Sequence, residues 1–394
     1  MIEKILIQNF KSLADVMLDF TKFTCFVGMN GAGKSSILQA LDFVSQQMRG
    51  DISGWLEQRA WDSKDLGHKG GAAARRSTMT TMQVHYRLRD GRQVFWVGFF
   101  HRASLQMVTE SAELRGATQE LLLRTVSGIY YLNGASHEST FNYQGSILSQ
   151  LKDDRLPAPL LEFRNAIANI QSLELLSPAL LRKRSRAQDK HIGVGGEKLA
   201  GFLDTIKGDT KEKLVVLLKT FYPSLVDFRI ATAKGGWKRL IVSEERALPG
   251  EQGMVHVETG AMHVNDGLLR ILAILAQIEA KDFEVLLLDE VEDGINPEIM
   301  ERLVDVLVSA RVQVIVTTHS PMVLNYLEDD IARASVRFVY KSPDGQTRVR
   351  PFFAIPRMAQ KLQFMGPGEA FVDTDLVMLA DECIEMDERE AQSR

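Results

Sequence analysis

The stretch Gly28-Met29-Asn30-Gly31-Ala32-Gly33-Lys34-Ser35 constrains this chain more than any other. It fits G-x-x-x-x-G-K-[ST] in full, with an apolar run from Thr24 to Val27 before it and helical spacing through Ile37, Leu38, Leu41, Phe43 and Val44 after it. A strand that breaks through glycines into a helix gathers backbone N–H groups and the positive end of the helix dipole around one point. That point suits a phosphate. Gly28, Asn30, Gly31, Ala32, Gly33 and Ser36 are expected to line the cradle. Lys34 is expected to reach the β- and γ-phosphates, and the Ser35 hydroxyl to ligate Mg2+.

The remaining pattern supplies the rest of an α/β fold. Ile5-Leu6-Ile7 and Val16-Met17-Leu18 read as strands. From Thr78 the period changes to two, Asp90-Gly91 marks a hairpin, and residues 78–143 read as an antiparallel meander. Apolar residues three and four apart make 146–222 helical, interrupted by the basic run Arg182-Lys183-Arg184-Ser185-Arg186 and by Gly193-Val194-Gly195-Gly196. Two strands flank Gly235-Gly236, and from Asn265 to about Tyr340 helices and strands alternate as in a parallel sheet with crossovers. Four units follow: 1–145, an N-terminal lobe with the phosphate loop and meander; 146–225, a helical insert; 226–345, a C-terminal lobe; and 346–394, an extension with an acidic tail.

Composition excludes several classes. The chain has 394 residues, two to three domains' worth at ~150 each. No run approaches the ~18 apolar residues of a membrane span, since even Leu268 to Ile278 carries Arg270 and Gln277. Two cysteines, Cys25 and Cys383, exclude a disulfide framework and a four-cysteine zinc site. With no signal-like start, a cytoplasmic location is expected. Net charge is 47 − 51 = −4, which argues against nucleic-acid binding by bulk charge but not against a local basic face. On that ground Arg182, Lys183, Arg184 and Arg186 are candidate DNA or RNA contacts, against the plainer reading of a solvated loop. The C-terminal acids, Asp373 to Glu390, read as a solvated helix and tail.

The second half carries the expected partners of the phosphate loop. Val285 to Leu288 is a buried-strand run ending in Asp289-Glu290. Asp289, on a neighbouring parallel strand, is placed to contact the Mg2+, and Glu290 to polarise a water for attack. The next strand, Val312 to Val316, ends in Thr317-Thr318-His319-Ser320-Pro321, so His319 should project toward the same phosphates. Asn265-Asp266-Gly267 starts the intervening helix, with Asn265 or Asp266 as N-cap and Gly267 leaving the end open. That N-terminus suits the γ-phosphate of another subunit's nucleotide. Gln144, at the junction of meander and insert, is a candidate metal contact, or else part of a surface turn.

These pieces, in this order, resemble the ATP-binding-cassette type of ATPase head, above all the RecF, SMC and OLD group. Asn9-Phe10-Lys11-Ser12 looks like that group's N-terminal element, which adds Lys11 to the nucleotide-binding residues. Val264 to Gly267 looks like its signature, Asp289 to Pro297 like its acidic run, and Thr317 to Pro321 like its switch. Asn265 stands where the signature serine is usual, and Asn296 where a histidine is usual. The arrangement is similar to small stand-alone bacterial ATPases, many of them linked to phage defence. The resemblance implies ATP and Mg2+, a head-to-head dimer, slow hydrolysis, and a partner effector, nuclease or toxin, that the ATPase gates. The alternative it leaves open is a RecF-like DNA-repair ATPase acting without an effector.

Overall fold

The computed structural model describes residues 1–70, 77–139, 142–186, 188–247, 253–280 and 283–393. Residues 140 and 141 of the expected meander lie outside that set. The fold is α/β, a P-loop head with an antiparallel β subdomain and a helical insert.

The strands are β1 (Ile2–Phe10), β2 (Leu13–Asp19), β3 (Phe23–Val27), β4 (Met79–Arg87), β5 (Gln93–His101), β6 (Gln106–Arg115), β7 (Gln119–Val126), β8 (Ile129–Leu132) and β9 (Ala135–Glu138). After them come β10 (Gln171–Ser172), β11 (Leu225–Thr232), β12 (Lys238–Ala247), β13 (Met254–Gly260), β14 (Val285–Leu288), β15 (Gln313–Thr317), β16 (Val336–Lys341) and β17 (Thr347–Pro351). Three sheets result. One is antiparallel, β2-β1-β4-β5-β6-β7-β8-β9. The second, β10-β14-β15-β3-β16-β17, is parallel except for its last hairpin. The third is β11-β12-β13.

Alternation along the parallel strands divides the core in two. Cys25, Val27, Leu286, Leu288, Val314 and Val316 face one cluster, with the helix Asp266–Glu279. Phe26, Val285, Leu287 and Ile315 face the other, with the phosphate-loop helix and the meander. That phosphate-loop helix, Lys34–Arg49, begins from Gly33 and ends at Gly50, both left-handed. Gly50 donates its N–H to the Gln46 carbonyl, closing the helix.

Several boundaries differ from those the sequence suggests. β3 lies between β15 and β16, so the phosphate loop springs from a sheet built mostly of C-terminal strands rather than from a separate N-terminal lobe. The 146–225 segment is not purely helical, because β10 pairs with β14 at the edge of that sheet. The 345/346 boundary falls in the turn of the β16–β17 hairpin, whose ladder runs Arg337–Pro351 to Lys341–Thr347. The acidic tail is a docked helix, Leu376–Gln392, with Leu379, Ala380 and Cys383 buried. Most of its acids are exposed, as expected of a solvated helix, while Asp387 and Glu390 also pair with Arg350 at 2.6 and 2.8 Å.

Candidate functional site

The phosphate loop follows β3 directly. Gly28, Gly31 and Gly33 have φ of 149°, 75° and 113°, values that L side chains rarely adopt. Space forbids a side chain at two of them: a Cβ on Gly28 would lie 2.1 Å from the Val339 carbonyl oxygen, and one on Gly33 2.1 Å from Thr347 Oγ1. Thr347 in turn donates to the Ala32 carbonyl at 2.8 Å, pinning the loop from β17. Lys34 Nζ lies on the loop itself, donating to the carbonyls of Gly28 (2.8 Å) and Met29 (3.2 Å). Burial pushes its ammonium below the ordinary lysine range, and the charges of Asp289, Glu290 and Glu292 oppose that shift. Those carboxylates therefore lie near enough to Lys34 for their charges to act on it.

Strand register explains why. Leu288 stands level with Val316, and Thr317 with Phe26, so the carboxyl ends of β14, β15 and β3 align. Asp289 is on the next strand but one from β3, with β15 between, and not on an adjacent strand. Two strand spacings, about 10 Å, separate it from the loop strand. That gap leaves room for phosphates and a cation. Thr317 on the middle strand ties the site together: its Oγ donates to Asp289 and accepts the Glu290 N–H at 2.9 Å. Glu290 has a left-handed φ of 44°, a strained backbone for a residue with a side chain, and its carboxylate is half exposed. His319 is brought beside it, Nδ1 3.9 Å from Glu290 and 3.1 Å from Glu292.

The Mg2+ expected here fits the donor set. Ser35 and Asp289 offer hard oxygens, and among the described residues no group of three or more His, Cys, Asp or Glu could hold a metal ion. A cation that keeps its waters and shares substrate phosphates needs no more than that.

Lys11, just past β1, sits against the phosphate-loop helix. It has a left-handed φ of 49°, and its Nζ lies 2.7 Å from Gln39 Oε1 and 3.2 Å above the Trp61 ring. Gln39 follows Ser35 by one helical turn, on the same face. Burial lowers Lys11 to about 8.

Gln144 is not a metal contact. Its side chain bonds the backbone and hydroxyl of Ser53, and the next residues pack on the far end of the phosphate-loop helix, where Ser146 donates to the Gln47 carbonyl. Twelve residues of helix put Gln47 about 18 Å from Ser35. Nearer to Asp289 lies Glu174, just past β10, whose carboxyl feels the Asp289 charge. Glu174 accepts from Gln39 and, at 2.8 Å, from Arg59. Burial raises its carboxyl above the usual range, and the charge of Asp289 adds to that. The one available signal was a lone acid within Leu173-Glu174-Leu175-Leu176.

The helix Asp266–Glu279 is N-capped by Asn265, whose side chain accepts the Leu268 N–H at 3.3 Å. Gly267 does not serve to leave the end open. It is buried, and a Cβ there would lie 2.9 Å from the Gly294 carbonyl oxygen, so close packing requires the glycine. Asn265 and Asp266 are exposed. Arg182 of the basic run is turned away from solvent onto this element, binding Asp266 and the Val264 carbonyl (2.8 Å). It is thereby removed from the candidate nucleic-acid contacts.

Arg270, buried in the same helix, is a further residue of the site. Its guanidinium donates to the carbonyls of Asp289 (3.1 Å) and Glu290 (2.9 Å) and contacts Asp293 at 3.3 Å. Arg270→Leu should orphan those carbonyls and cost about 2 kcal/mol in urea unfolding, with a loss of nucleotide turnover. Unchanged stability would mean that Arg270 does not hold this turn.

Comparison with known proteins agrees with this geometry. A family model described as "AAA ATPase domain" matches residues 1–95, and one described as "AAA domain, putative AbiEii toxin, Type IV TA system" matches 152–325. The human and mouse proteins named "Structural maintenance of chromosomes protein 1B" are each 47% identical over 45 residues, 11% of this chain. The chain spans about 4% of the length of these relatives. Among solved structures, an SMC head bound to the C-terminal winged-helix domain of ScpA is similar at TM-score 0.56 and 18% identity, over 89% of this chain and 96% of that one. A Pyrococcus furiosus SMC head with an extended coiled coil, bound to the C-terminal domain of ScpA, is similar at 0.56 and 14%, over 92% and 99%. The loop, the sheet order and these matches together support an ABC-type ATPase of the RecF, SMC and OLD-like group, and the fold is that of such a head.

Proposed function

We propose that this head binds Mg-ATP on the phosphate loop, pairs head to head, hydrolyses slowly, and gates a protein effector, a nuclease or toxin, in phage defence or nucleic-acid surveillance in the cytoplasm. One arrangement supports the chemical part: Asp289, Glu290 and His319 follow the carboxyl ends of β14 and β15, level with that of β3 where the phosphate loop begins, and the two carboxylates act on the charge of Lys34. In this reading Lys34 and the loop N–H groups hold the β- and γ-phosphates, and Ser35 and Asp289 hold the Mg2+, which supplies charge neutralisation. Glu290 takes the proton of the attacking water, and His319 hydrogen-bonds the γ-phosphate.

Pairing is supported by exposure. Glu290 and His319 are about half exposed, at 51% and 54%, whereas a hydrolytic centre works best with bulk water excluded. The helix start of a second copy, where Asn265 and Asp266 are exposed, would supply both the lid and N–H donors. A protein partner is supported by analogy alone, since both SMC heads above are described as bound to ScpA domains.

Titration with a fluorescent ATP analogue tests the site. Lys34→Ala should weaken binding about ten- to hundred-fold, the worth of a charged hydrogen bond. Equal affinity would remove the phosphate loop as the nucleotide site.

A further inference from the structure

The basic run is not a loose loop. Ser185 bridges Lys238 in antiparallel fashion, Ser185 N–H to the Lys238 carbonyl at 3.1 Å and Lys238 N–H to the Ser185 carbonyl at 2.7 Å. The bridge occupies the edge of β12 beyond the reach of β13, whose pairing starts at Ile241. Residues flanking an antiparallel bridge face one another, so Arg186 stands opposite Trp237 and Arg184 opposite Arg239. Side chains alternate along each strand, which puts these four on one face.

Burial divides the residues in the same way. Ser185 is buried and Lys238 turns inward to Asp204 at 2.7 Å. Arg184, Arg186, Trp237 and Arg239 are exposed, Trp237 by 40%. The Arg186 guanidinium lies 5.6 Å from the centre of the indole. Across β11, the neighbour of Arg239 is the small Ala231. Glu258, which the register sets on this same face through Ser243, is ion-paired with Arg229 at 2.7 Å. The face thus presents a flat aromatic ring among three guanidinium groups drawn from segments some fifty residues apart. Lys183 and Lys234 are exposed at its margins.

We propose that this face binds single-stranded nucleic acid, with one base stacked on Trp237 and the flanking phosphates on Arg184, Arg186 and Arg239. A protruding indole needs an unpaired base, because the bases of a duplex already stack on one another. DNA and RNA strands share this chemistry. The surface uses none of the residues assigned to the nucleotide, so the proposal can be tested without nucleotide and apart from the ATPase reading.

Anisotropy of labelled dT15 and rU15 with the full chain, without nucleotide and across a salt series, tests it. Three phosphate contacts predict a slope of log affinity on log salt near −2, at about −0.7 per contact for single strands. Trp237→Ala should weaken binding about 5- to 150-fold, the worth of one stacked base, and leave the slope unchanged. Trp237→Phe should restore most of the affinity. Arg184→Glu with Arg186→Glu should weaken binding and cut the slope by more than half, whereas Arg124→Glu, exposed on β7, should change neither. Trp237 is a surface residue, so its variants should melt with the parent. Equal binding by Trp237→Ala, or a duplex of the same length binding as tightly as the strand, would overturn the proposal. Binding by polyglutamate as tight as by dT15 would overturn it too, since that would make the face a site for acidic peptides.

Discussion

Glu290→Gln should bind Mg-ATP as tightly as the parent, hydrolyse it about 10²–10⁴-fold more slowly, and collect as an ATP-held dimer on size exclusion. The substitution is well isolated. Glu290 is positioned by its backbone: the N–H goes to Thr317, the carbonyl accepts from Arg270, and φ is 44°. Glutamine keeps those contacts and the side chain's shape, and removes only the proton acceptor. Among the described residues no side-chain hydrogen bond is made to the Glu290 carboxylate as Thr317 makes one to Asp289, and His319, 3.9 Å away, is held more closely by Glu292. Single-turnover hydrolysis beside nucleotide affinity separates the two effects. Parental turnover in this variant would remove Glu290 from the chemistry while leaving the binding site intact.

What could be read from the sequence was local. The phosphate loop, the acid pair ending a strand and the threonine-histidine pair ending the next are runs of consecutive residues. Their geometry follows from strand-to-loop exits that the chain cannot avoid. Even so, the position of Asp289 on the next strand but one was not legible, because strand order is set by crossovers and not by motif spacing. Glu174 was missed for a different reason. Its strand, β10, is two residues long, too short for any period, and becomes a strand only by adding to the edge of β14. A junction in composition points to Gln144 instead, and the fold puts that junction at the far end of the phosphate-loop helix. Trp237 escaped notice as a partner of the basic run because a bridge of one residue pair, Ser185 with Lys238, brings them together. The sequence suggests that Gly267 leaves a helix end open, whereas the carbonyl of Gly294 is the reason no side chain fits there.

That correction decides how the shared site should be tested. An acid at Gly267 would disrupt packing and report on folding. Asn265→Asp is the cleaner change, since aspartate caps a helix as well as asparagine does. It adds one charge where a γ-phosphate from the partner copy would dock. At ~4 Å and an effective dielectric of 20 that repulsion is about 4 kcal/mol, or roughly a thousand-fold. The resident acid, Asp266, does not already impose this cost, because Arg182 holds its carboxylate. Asn265→Asp and Lys34→Ala should each be close to inactive alone. When mixed, every heterodimer joins one doubly damaged site to one intact site. Random pairing makes half the dimers mixed, so roughly a quarter of parental ATPase should return if the sites act independently. A site built within one chain would stay damaged in every subunit, and nothing would return. Strict coupling between the two sites would also suppress recovery, but it would leave ATP-driven dimerisation of Glu290→Gln intact. Absence of both recovery and that dimer would defeat the composite site, since an exposed helix start with no partner has no phosphate to meet.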